Sequence, residues 1–320
     1  MKINIKREYN YSDVYLVPNE CVVNSRNECD TSVVFGNRTF NLPICPANMP
    51  AVINENTCEY LAKKNIFYVF HRFFHDQISF LDKMCKQNLF TSISVGVNDE
   101  SKAQILNIKN AGFNPDYILI DIAHAWSPKM EYMIKFVKDN LPNSHLTVGN
   151  MATGAAVQDI ESWGADACRI FIGPGHACTT KVMTGFTRPT ISCLLECVAA
   201  ATKPILADGG IREIGDICKA LACGAHMIVA GSLFCGFDQS NSDIVEIDGH
   251  KKCIYYGNAS EHVKIGSGKT HIEGKKIILD YKGNMDNFLI ELKENIQSGI
   301  SYAGGKDLSA FLKCNIITVN

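Results

Sequence analysis

"KPILADGGIREIGDICKALACGAHMIVAGSL", Lys203–Leu233, contains a whole strand–helix–strand unit. "KPILADGG" and "HMIVAGSL" are nearly all apolar, as strands buried on both faces of a parallel sheet must be. Between them Ile211, Ile214, Ile217 and Leu221 recur at intervals of three and four, the stripe of an amphipathic helix that begins at Ile211. The same alternation runs through most of the chain. Six more apolar runs precede it: "LPICPA" (42–47), "NIFYVF" (65–70), "TSISVGV" (91–97), "DYILIDIA" (116–123), "HLTVGNM" (145–151) and "ACRIFIGPG" (167–175). Most successive starts are separated by roughly 22 to 28 residues, the length of one strand–helix unit, and eight units are the number that closes a (β/α)8 TIM barrel. The expected fold is therefore α/β, with one barrel over residues 1–320.

The whole-chain quantities narrow the function. With 320 residues, 46% hydrophobic and 20% charged, the chain can bury a large core. A net charge of −2 argues against a nucleic-acid surface, and no apolar run reaches the length of a membrane span. The first residues, "MKINIKREYNYSDVYLVP", have no signal-peptide core, so a cytoplasmic protein with fourteen reduced cysteines is expected. None of these cysteines forms a CxxC pair, which makes a zinc site unexpected.

Two segments interrupt the rhythm. "GHACTTKVMTGFTRP" lengthens the connection after the sixth strand, and after the eighth about 40 residues, 236–276, show little periodicity and read as a structureless flap. Both follow the C-terminal ends of strands, the catalytic face of such barrels. Loops after strands seven and eight commonly hold phosphate there, and "ADGG" and "AGS" offer Gly209, Gly210, Gly231 and Ser232 for that purpose. Asp208 either caps the next helix or accepts ligand hydroxyls. Asp121, placed after "YILI", needs a ligand or a hydrogen-bond partner to be buried. Cys178, among glycines and hydroxyls, has a setting suited to a thiolate nucleophile; His176 reads as a surface or phosphate-facing side chain.

"GPGHACTT" (173–180) is similar to the catalytic-cysteine loop of the IMP dehydrogenase and GMP reductase superfamily. The likeness extends, in order, through "YSDVYLVP", "CPANM", "SISVGV", "IDIAHA", "VGNMAT", "ADGGIR", "AGSLF", "YYGNAS", "EGKK" and "SYAGG". The unbroken strand rhythm leaves no place for the regulatory insert usual in the dehydrogenases. No arginine follows Arg212 to act as their flap base, whereas "HIEGKK" resembles the reductase motif. The resemblance thus implies NADPH-dependent reductive deamination of GMP to IMP in a homotetramer. The alternatives are an IMP dehydrogenase without its insert and a nucleotide-binding barrel that no longer turns over.

By the same resemblance, Cys178, Thr180 and Glu273 are catalytic. GMP meets Asn48, Met49, Asp208, Gly210, Gly231, Ser232, Tyr256, Gly257 and Asn258. NADPH meets Ser94, Val95, Gly96, Asp121 and Ala123. A monovalent cation such as K+ sits on the carbonyls of Gly173, Gly175 and Cys178. The chain departs from the family's usual residues at His176, Ala125, Trp126 and Asn258.

Overall fold

A computed structural model describes residues 6–74, 76–257 and 274–319. The N-terminal segment forms β1 (Val14–Leu16), β2 (Val33–Phe35) and β3 (Arg38–Phe40). The barrel strands follow as β4 (Ile44–Pro46), β5 (Ser92–Val95), β6 (Tyr117–Asp121), β7 (His145–Met151), β8 (Ala167–Ile170), β9 (Ile205–Asp208) and β10 (Met227–Ala230). All pair in parallel, in the order β4-β10-β9-β8-β7-β6-β5. This is the curled sheet of a TIM-barrel-like fold. The expected strand 65–70 is reduced to one parallel bridge, Phe70 to Ile93, with Phe70 N–H donating to the Ser92 carbonyl.

Around the sheet lie α1 (Glu55–Lys63), α2 (Gln77–Lys86), α3 (Asp99–Asn110), α4 (Pro128–Asn140), α5 (Gly154–Ser162), the short α6 (Thr180–Thr184), α7 (Thr190–Ala200) and α8 (Ile214–Ala222). Ile211, expected to open the last of these, lies before it. Glu213 and Asp216 form a reciprocal capping box that starts α8 three residues later, and Ile211 is buried in the loop.

The two ends of the barrel are chemically different. At the N-terminal end the β2–β3 hairpin turns at Gly36, whose φ of +60° suits glycine, and inserts Phe35 and Phe40. Phe35 stacks on Tyr117 at 5.6 Å and meets Phe67 edge-on at 5.1 Å; the Tyr117 hydroxyl donates to the Phe35 carbonyl at 2.7 Å. Burying each ring contributes about 2–3 kcal/mol, enough for the hairpin to act as a plug. The C-terminal end instead carries polar side chains.

The segment after β10 departs from the expectation of a structureless flap. It contains β11 (Asp243–Ile247) and β12 (His250–Tyr256), joined by β13 (Lys276–Asp280) in an antiparallel sheet. The C-terminal helix Met285–Tyr302 returns to the barrel, and β14 (Ile316–Thr318) pairs with β1. Among the described residues no helix is long and apolar enough to cross a membrane.

Candidate active site

A cavity of about 220 Å³ opens at the C-terminal end of the sheet. Its floor is a buried charged layer centred on Arg169, the one charge in the apolar strand β8. Arg169 Nη1 donates to Asn48 Oδ1 at 2.6 Å, Nε donates to Asn150 Oδ1 at 2.9 Å, and Nη2 donates to Asp121 Oδ1. Nε also lies 3.4 Å from Asp208 Oδ2. The amide groups complete the circuit: Asn48 Nδ2 donates to Asp121 Oδ2 at 3.1 Å and Asn150 Nδ2 to Asp208 Oδ2 at 2.8 Å. Gly149 pairs with Arg169 across β7 and β8, and a Cβ there would stand 2.7 Å from that of Arg169. The guanidinium can cross the barrel because position 149 has no side chain.

Burial alone disfavours the Arg169 charge, but Asp208 and Asp121 outweigh it and hold the guanidinium protonated. Burial pushes the Asp208 carboxyl up from its ordinary range, against the opposing pull of Arg169 and Asn150. Arg72 Nε lies 3.8 Å from Asp121 Oδ2 at the edge of this layer, so two acids face two guanidinium groups beneath the cavity. The capping role open for Asp208 falls to Glu213 and Asp216, which cap α8, while Asp208 lines the cavity.

Above the floor, Cys178 is half-buried in the loop after β8. Its N–H closes a turn onto the Gly175 carbonyl at 3.1 Å, and its Sγ donates to Thr180 Oγ1 at 3.3 Å. Thr180 stands at the start of α6, so thiol and hydroxyl are fixed by one local turn. Opposite, Gly274 forms an antiparallel bridge with Cys178, and Lys275 N–H donates to the Ala177 carbonyl at 2.9 Å. Glu273, immediately before that bridge, and Asn258 lie outside the described residues.

The loops after β9 and β10 supply the other wall. Gly209 and Gly210 adopt φ of +97° and +79°, conformations open to glycine. At Gly231 a Cβ would fall 2.2 Å from the Tyr255 hydroxyl, so any side chain there would have to displace that ring. His176 lines this region with Arg212; burial and the positive charges of Arg212 and Lys275 hold its imidazole below the ordinary histidine range. An anion is what such surroundings lack.

Of the residues expected here, Met49, Gly173, Gly175, Cys178, Thr180, Asp208, Gly210, Gly231, Ser232, Gly257 and Ala123 line the cavity together. Asn48 and Asp121 belong to the layer beneath it. Ser94 and Val95 are wholly buried in β5, Ser94 Oγ donating to the Phe70 carbonyl at 2.8 Å, and Gly96 N–H is taken by Ser101 Oγ at 3.0 Å. None of these three lines the cavity.

On β12 it is Tyr255 that faces the cavity, its hydroxyl 3.6 Å from Met49 Sδ, while Tyr256 belongs to the opposite face of the strand. Sequence reasoning passed over Arg169, Asn150 and Tyr255. The signal for the first was a lone arginine inside "ACRIFIG".

A half-buried thiol over a charged floor, beside a glycine-lined pocket at the C-terminal face of a parallel barrel, is the arrangement of an enzyme that acts on a small molecule. The chain belongs to the IMP dehydrogenase / GMP reductase domain family, whose pattern it matches over residues 8–319. It is 51% identical over 315 residues to a protein of Chromobacterium violaceum named GMP reductase, covering 98% of this chain and 99% of that one. GMP reductases of Oceanobacillus iheyensis and Helicobacter pylori are 48% and 45% identical over 314 residues, covering 97% of this chain and 95% and 96% of theirs.

Proposed function

We propose that this chain is a GMP reductase, converting GMP to IMP and ammonia with NADPH as reductant. The observation that carries the reading is the Cys178–Thr180 pair at one wall of a cavity whose other wall is lined by Gly209, Gly210, Gly231 and Ser232. The Cys178 thiolate attacks C2 of the guanine ring, forming a C–S bond. Thr180, 3.3 Å from the sulfur, passes a proton to the departing amine with Glu273, so that neutral ammonia leaves. A nicotinamide, when bound, would supply the hydride that C2 takes up, and Ala123 lines the cavity where it would lie. When C2 is reduced, the C–S bond breaks, Cys178 recovers its electron pair and IMP is released.

The phosphate belongs with Gly210, Gly231 and Ser232, under the field of Arg212 and Lys275. Asp208 accepts ribose hydroxyls from below. Asn48 and Asp121 act through Arg169, holding the floor. The proposal extends to a monovalent cation on the carbonyls of Gly173, Gly175 and Cys178, which share one turn beside the thiol, and to a homotetramer. Replacing K+ by Na+ in the assay tests the first, and sedimentation tests the second.

The discriminating experiment supplies each direction separately. GMP with NADPH should consume NADPH and yield IMP and ammonia in equal amounts. NADH production from IMP and NAD+, without GMP-dependent oxidation of NADPH, would instead identify a dehydrogenase, and binding of GMP without turnover in either assay a non-catalytic barrel. Cys178→Ala should bind GMP with Kd within about threefold of the parent and form no IMP; measurable turnover in that variant would refute the nucleophile assignment.

A further inference from the structure

Two thiols meet where the strand carrying Tyr255 is rooted in the barrel. Cys235 follows the Ser232–Phe234 turn after β10, and Cys253 lies in the middle of β12. Both are wholly buried, and their sulfurs are 3.5 Å apart. Ser242 Oγ stands 3.0 Å from Cys235 Sγ, and Cys253 Sγ is 3.7 Å from the Asp280 carbonyl. The Lys282 ammonium turns inward to donate to the Ser232 and Leu233 carbonyls, both at 3.0 Å, and its positive charge acts on both sulfurs.

This environment differs from that of the other buried cysteines. Burial pushes Cys45, Cys58, Cys168 and Cys223 up and keeps them protonated and inert. Here two sulfurs stand within hydrogen-bond reach of each other, beside a cation. The hydrogen bond with Cys235, helped by Lys282, holds Cys253 below the ordinary thiol range, and the same hydrogen bond pushes Cys235 up. Cys193 and Cys197 also interact, but they lie one turn apart on α7, where a disulfide would distort the helix, and Cys193 Sγ donates to the Ala152 carbonyl at 3.3 Å. Cys235 and Cys253 come from separate segments that can approach by the roughly 1.5 Å needed for an S–S bond of about 2.05 Å.

We propose that Cys235 and Cys253 form a peroxide-oxidisable dithiol whose disulfide ties β12 to the turn after β10. The Cys253 thiolate attacks one oxygen of hydrogen peroxide; the O–O bond breaks, hydroxide leaves and is protonated to water, and Cys253 becomes a sulfenic acid. The Cys235 sulfur then attacks that sulfur, the S–O bond breaks, and the second water departs with the Cys235 proton. Two thiols lose two electrons, and one peroxide becomes two waters. A dithiol reductant reverses the step. In the oxidised form the strand that bears Tyr255 and leads into Gly257 is fixed to the turn that presents Ser232 to the cavity.

The test exposes the full-length protein to hydrogen peroxide, blocks free thiols with iodoacetamide and maps peptides under non-reducing conditions. The expected product is a peptide pair joining Cys235 to Cys253, about 2 Da lighter than its reduced parts and separated by dithiothreitol. Cys193→Ser should leave this cross-link intact, and Cys235→Ser should abolish it. Recovery of Cys235 and Cys253 as separate alkylated peptides, at a peroxide dose that oxidises the exposed Cys21, would overturn the proposal; so would their appearance in bridges to other cysteines. The parent protein alone decides between these outcomes, so poor folding of a variant does not obscure them. The readout is mass, independent of whether the chain reduces GMP.

Discussion

Arg169 occupies a strand position where the surrounding residues are alanine, cysteine and isoleucine, and it ties together Asn48, Asn150, Asp121 and Asp208 at the barrel mouth. Arg169→Met would leave Asp208 without its cation and Asp121 with only Arg72, 3.8 Å away; removing one partner of a buried ion pair costs about 3–5 kcal/mol. Urea unfolding should show that loss as a lower midpoint, with GMP turnover abolished. Arg169→Lys keeps the charge but cannot reach Asn48, Asn150 and Asp121 at once, so it should recover part of the stability and little of the activity. Equal stability of Arg169→Met and the parent would contradict the role assigned to the layer. The sequence alone marked Asp121 as needing a partner and left two roles open for Asp208. It could not say that one arginine, contributed by another strand, serves both, because that follows from closure of the sheet.

Among the elements, β12 links the flap to the chemistry, since alternation along the strand turns Tyr255 toward Gly231 and Met49. Gly231→Ala would drive a methyl into the Tyr255 hydroxyl, and relieving such overpacking costs about 1–3 kcal/mol. The expected result is a KM for GMP raised about tenfold. Adding Tyr255→Phe removes the atom nearest the clash and should restore part of the affinity; a double variant no better than Gly231→Ala would place the fault elsewhere. β11 and β12 were hard to read because "DIVEI" and "HKKCIYY" carry as much charge as apolar surface. Their partner β13 also lies far along the chain, so nothing local announces the pairing. Tyr255 rather than Tyr256 lines the cavity, since strand alternation turns neighbouring side chains to opposite faces. The barrel strands, mostly apolar and with one exception spaced by a single strand–helix unit, were legible; only 65–70 shrank to a single bridge, at Phe70.

Across the whole molecule the barrel is finished differently at its two ends, aromatic at the plug and charged at the mouth. Titratable groups near the core therefore set its response to acid. Burial lowers the His71 imidazole from its ordinary 6.5 to about 4. Between these values the unfolded chain takes up a proton that the folded chain refuses, so stability falls as pH drops from about 6.5 toward 4. The loss approaches roughly 3 kcal/mol at its upper bound. Tm followed over this interval should decline, and His71→Asn should flatten the decline; an unchanged slope in that variant would remove His71 as its cause.

The central claim is that Cys178 forms the covalent bond to the purine, and trapping that bond tests it most directly. Enzyme mixed with GMP and NADPH should be quenched with acid during turnover and its peptides weighed. The account predicts a purine nucleotide on the peptide containing Cys178, absent without GMP and absent in Cys178→Ala. Steady formation of IMP with that peptide unmodified, and persisting in Cys178→Ala, would contradict it.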